Sequence, residues 1–74
     1  MGDTRLRDML FERMRGYEEH LRECTASGER PSALMFYGKV TGIAEAMEAC
    51  GLIDSESKDM IVKRAWDEYM GRDV

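Results

Sequence analysis

The sequence predicts an all-α protein: a three-helix bundle, or a helical hairpin with a third helix, with dimerisation as one way to complete the core. Three observations predict it. Three segments repeat apolar residues at helical spacing, glycine or proline punctuates the gaps between them, and no period-two stretch bounded by hairpin turn residues occurs. The composition agrees, since 43% hydrophobic and 35% charged residues with a single proline are too apolar for a disordered chain. Seventy-four residues make one helical domain, 1–74, near the lower size limit for a chain that folds alone.

The first helix is expected over about 4–24. At about 100° per residue, Leu6, Met9, Leu10, Met14, Tyr17, His20, Leu21 and Cys24 fall in one stripe about 140° wide. Asp3 or Thr4 can cap its start by accepting a backbone N–H. Arg13 shares the stripe, with its stem packed and its guanidinium at the edge. Gly16 is an internal penalty, and Thr25-Ala26-Ser27-Gly28 ends the helix.

The second helix is expected over about 32–50, opened by Pro31, whose missing N–H costs nothing in a first turn. Ala33, Phe36, Tyr37, Val40, Ile43, Ala44, Met47 and Cys50 share its stripe. Gly51 suits the left-handed position that ends a helix, with Leu52 packing back on Met47 as in a Schellman motif. The third helix is expected over about 55–70, capped by Asp54 or Ser55 and with Glu56 in its first turn. Ile61, Val62, Ala65, Trp66 and Tyr69 form its inner face, Trp66 is the expected core anchor, and Gly71 ends it. The short 51–54 link folds helix 3 against helix 2, and the 25–31 loop makes helices 1 and 2 antiparallel.

Charge and motifs narrow the function. The net charge is −4, with five Arg against six acids in 1–24 and four bases against six acids in 52–74, so neither end is a basic arm and nucleic-acid binding is disfavoured. Met1 precedes Gly-Asp-Thr-Arg rather than a basic and apolar leader, and Leu6 stands where a myristoylation motif wants Ser or Thr. No stretch approaches the roughly 20 apolar residues of a membrane span. The expectation is a cytoplasmic protein with no membrane partner.

Cys24 and Cys50 lie at opposite ends of the second helix in an antiparallel pair, about 27 Å apart, which excludes an internal disulfide. Both fall on apolar stripes, where a thiol acts as a small hydrophobe. His20 and Cys24, at i, i+4, lack the further ligands a structural zinc site needs. Gly38 and Gly42 sit inside a helical pattern rather than in a phosphate-binding loop, and one histidine without partners makes no triad. The pairs Glu18-Glu19 and Asp67-Glu68 read as solvated surface. A domain this small leaves little room for a pocket of roughly 300 Å³ or more. These observations predict no enzyme, no metal and no cofactor.

Some apolar residues lie outside the core pattern. Gly38, Gly42 and Ala46 recur every four residues on the flank of helix 2 away from Phe36, Val40 and Met47, bordered by Leu34 and Met35. Two interior glycines cost about 2 kcal/mol of helix propensity, and close approach by another helix, of the same chain or of a partner, would offset it. Phe11 falls off the helix 1 stripe, and Met60 and Met70 fall off the inner face of helix 3. With seven methionines, these residues suggest an adaptable contact surface made by Phe11, Leu34, Met35, Gly38, Gly42, Ala46 and Met60.

The run Met35-Phe36-Tyr37-Gly38-Lys39-Val40-Thr41-Gly42-Ile43, followed by Cys50-Gly51-Leu52-Ile53-Asp54-Ser55-Glu56, resembles small helical proteins of phages and mobile elements over about residues 33–70. The resemblance implies a regulator or inhibitor of host machinery, as anti-CRISPR proteins are, and carries over no functional residue. The leading expectation is therefore a non-enzymatic protein-binding module whose partner is another protein or a second copy in a homodimer. The alternatives are a small dimeric DNA-binding transcriptional regulator and a structural subunit of a larger assembly.

Overall fold

Each of the three periodic segments is a helix in the computed structural model, which describes residues 2–71 and the side chains of 4–71. Helix α1 spans Gly2–Ala26, α2 spans Arg30–Ala49 and α3 spans Ser55–Tyr69. The chain is already helical at Gly2, so Thr4 lies inside the first turn rather than at a cap, and the expectation for the Asp3 side chain lies outside the described residues. Pro31 sits in the first turn of α2. Asp54 caps α3: its carboxylate accepts the Ser57 N–H at 2.8 Å, and Glu56 adds negative charge at the positive helix end.

Local chemistry also ends the helices. Gly51 has φ 75°, the Leu52 N–H reaches the Met47 carbonyl at 2.8 Å and the Gly51 N–H reaches that of Glu48 at 3.0 Å. That pair of bonds is the expected Schellman motif, and only glycine adopts the conformation without steric cost. Gly28, at φ 74°, repeats it after α1, with Glu29 bonded back to Cys24 at 2.9 Å.

Contacts between the helices fix the topology. Arg64 meets Glu18 at 3.2 Å and Arg22 meets Glu68 at 2.9 Å, so α1 and α3 run parallel, in register by 46 residues. Arg30 donates to the Tyr69 carbonyl at 2.7 Å, placing the start of α2 beside the end of α3. Tyr17 and Phe36 lie 6.1 Å apart, while Leu10 and Ala46 share a groove, so α1 and α2 are antiparallel. All three helix pairs touch, giving a three-helix bundle of 41 × 20 × 18 Å. Its core is Met14 and Leu21 from α1, Ala33, Val40, Ala44 and Met47 from α2, and Ile61 and Ala65 from α3.

Trp66 is not the core anchor: it is 42% exposed and lies against the rings of Tyr37 at 5.6 Å and Tyr69 at 5.7 Å. Ala33, Ala44 and Ala65 occupy the centre, and helices drawn together over alanines leave no space for an indole. Leu6, Met9, His20 and Cys50 also belong to predicted stripes yet are exposed. At 25 residues α1 is about 37 Å long against about 22 Å for α3. By the 46-residue register Leu6 stands level with residue 52, before α3 begins, so it has no α3 neighbour to cover it.

The acid pairs are not simply solvated surface. Glu18 is 5% exposed, Asp67 is 8% exposed, and the Glu68 side chain is largely covered. Adjacent residues point about 100° apart, so Glu19 faces water while Glu18 turns into the α1/α3 junction, where Arg64 meets it. Asp67 accepts from Lys63 at 3.3 Å. Charge-assisted hydrogen bonds offset the desolvation of these carboxylates.

Candidate binding surface

Three grooves run between the helices, of about 440, 380 and 510 Å³, so the expectation that so small a domain lacks such room fails. They are surface clefts rather than enclosed cavities: three cylinders packed on small core residues leave valleys where their flanks diverge.

The structure places five of the seven predicted contact residues in two of these valleys. Phe11 packs partly buried against the core and, with Met60, lines the 440 Å³ groove between α1 and α3 beside Ile61, Lys63 and Arg64. Met60 is 67% exposed. Gly38, Gly42 and Ala46 line the 380 Å³ groove between α1 and α2, opposite Leu10, Arg13 and Tyr17. A Cβ built on Gly38 or Gly42 would meet nothing within 4 Å, so no helix of this chain makes a close approach there. Met35, half exposed, lies two turns before Gly42 on the same side of α2. Leu34, also half exposed, lines none of the three grooves.

Sequence reasoning missed Arg13 and Lys39 as site residues. Both line the α1/α2 groove, and Lys39 holds its ammonium 5.0 Å from the Tyr17 ring centre and 5.6 Å from that of Phe36. Among the described residues neither has a carboxylate within ion-pairing distance. Five other cations are engaged, Arg7 with Asp8, Arg22 with Glu68, Lys58 with Asp59, Lys63 with Asp67 and Arg64 with Glu18, while Arg5 and Arg15 have no carboxylate at that distance among the described residues and line no part of this groove. The lining of the α1/α2 groove contains no acid at all.

The negative charge is gathered elsewhere. Glu45, Glu48, Asp54, Glu56 and Asp59 stand against Lys58 alone, which equals the whole net charge of −4 and leaves the rest of the chain balanced. This segment runs from the end of α2 to the start of α3. The hydrogen bond and charge of Asp59, then Glu48 and Glu45, raise the Lys58 pKa. Summing charge over the window 45–59 exposes this asymmetry, which counts over the two ends of the chain alone divide.

Cys24 and Cys50 are both free thiols. Cys24 is partly covered, and burial, then Glu29 and Glu23, raise its pKa, so it is a poor nucleophile. Cys50 is exposed rather than packed in the core. His20 stacks on Phe36 at 5.1 Å and lies 3.3 Å from Glu23. Among the described residues no group of three His, Cys, Asp or Glu is placed to hold a metal ion. No described helix is long and apolar enough to cross a membrane. No protein-family model matches the chain, and comparisons with curated proteins and with solved structures also returned no match.

Proposed function

We propose that the chain is a non-enzymatic protein-binding module, acting as small helical regulators and inhibitors of the phage type do. The observation that carries this reading is the exposure of large apolar side chains on so small a bundle. Leu6, Met9, Leu34, Met35, Met60, Trp66 and Met70 are each 42–67% exposed. Scattered single residues of this kind are ordinary, but here Met60 lines the α1/α3 groove and Met35 shares the side of α2 that carries Gly42, and Met supplies a surface that repacks easily. An acidic end with balanced flanks adds charge that can orient a partner during encounter.

Affinity capture with the full chain tests the reading, beside two variants, Met35→Asp and Met60→Asp, each checked for unchanged helical circular dichroism. A protein retained by the wild-type chain and lost with one variant supports it. Identical recoveries from all three chains would remove its basis. Light scattering at two concentrations identifies the case in which the partner is a second copy.

A further inference from the structure

We propose that the α1/α2 groove is the docking site for an acidic amphipathic helix of a partner protein; the proposal rests on the protein-binding reading above. Shape is the first argument. Gly38, Gly42 and Ala46 span eight residues of α2, or about 12 Å, which matches two turns of an incoming helix presenting apolar anchors at i, i+4 and i+7. The groove is open there because the glycines carry no side chain and nothing of the chain itself stands over them. Leu10, Tyr17 and Ile43 supply its apolar walls.

Charge is the second argument, and it selects the occupant. Arg13 stands on one wall and Lys39 on the other, with no acid in the lining and no carboxylate partner for either among the described residues. The rings of Tyr17 and Phe36 hold the Lys39 ammonium near the groove rather than leaving it to swing freely. A helix with Glu or Asp flanking its apolar anchors would give both cations the partners they lack, and a helix flanked by Lys would be repelled. A second copy fits worse. A two-fold interface sets the same patch on both sides, so a face-to-face dimer here would gather four cations with no acid between them.

The test uses the full chain and two fluorescein-labelled fifteen-residue helical peptides. Both carry Leu anchors at i, i+4 and i+7; one has Glu at the flanking positions and its twin has Lys. Anisotropy should show the Glu peptide binding at least tenfold tighter than the Lys twin. Amide shifts in nitrogen-15 spectra should centre on Gly38, Lys39 and Gly42. Gly42→Leu, which fills the groove, should weaken binding at least tenfold with helical dichroism kept, and Arg13→Glu with Lys39→Glu should invert the peptide preference.

Equal or tighter binding of the Lys twin, shifts centred on another face, or undiminished binding by Gly42→Leu would overturn the groove assignment while leaving the protein-binding reading standing. Concentration-dependent shifts at Gly42 without peptide would overturn it in favour of a second copy, and binding only to phosphatidylserine vesicles in favour of a membrane surface. If neither peptide binds and the capture experiment also recovers nothing, both readings fall.

Discussion

Gly38 and Gly42 lie in the middle of α2 at ordinary helical dihedrals, and neither has an atom within 4 Å of where a Cβ would stand. Alanine at either site therefore adds no clash and removes the backbone entropy that glycine loses on folding. Each Gly→Ala change in an exposed helix interior is worth about 0.8–1.0 kcal/mol, so the double variant should gain about 2 kcal/mol. A core of this size rarely supplies more than roughly 3–5 kcal/mol, which makes that gain a large fraction of the total. At about 4–8 °C per kcal/mol for a domain of 60–100 residues, the melting midpoint should rise by about 8–16 °C. Thermal melts at 222 nm and urea titrations read both quantities, and the two single variants should add. Gly16→Ala in α1, equally open, serves as a control away from the groove. No gain, or a loss, would show that the space over α2 is filled in solution and would refute the open groove. A gain at low protein concentration that shrinks at high concentration would identify the filler as another copy of the chain.

Four further outcomes follow from the same geometry. Leu21→Ala or Met47→Ala, both at 0% exposure, should cost about 2–5 kcal/mol and leave much of the chain unfolded by dichroism at 37 °C. A double-mutant cycle with Glu18→Gln and Arg64→Met should give a coupling of about 1 kcal/mol in urea, between the values for exposed and fully buried pairs, because Glu18 is buried and Arg64 is half exposed. The Ser57 N–H lowers the Asp54 pKa, so its stabilisation is present above the unfolded value near 3.9 and is lost as pH falls through the lower folded value. Asp54→Asn should keep the cap but flatten that acid limb; an unchanged pH profile would show that the cap carries no charge dependence. Alkylation by iodoacetamide at pH 7.5 should modify exposed Cys50 faster than Cys24, whose thiol is partly covered and raised in pKa, and equal rates would show α1 fraying at its end.

The sequence by itself determined what depends on neighbours along the chain. Helix periodicity placed all three helices, with boundaries off by at most two residues, and Asp54, Gly28 and Gly51 set ends through hydrogen bonds spanning at most five residues. Gly38, Gly42 and Ala46 were also legible as a flank with no task in the core. Only the tertiary structure decided matters that depend on how far apart helices sit and how far each runs. Alanines at the centre pushed Trp66 to the edge, and the 46-residue register of α1 on α3 buried Glu18 against Arg64. The turn between α1 and α2 brought Arg13 and Lys39 onto one acid-free groove. Burial and charge environment are sums over atoms distant in sequence, and a one-dimensional pattern records only which face a residue occupies, not what stands opposite.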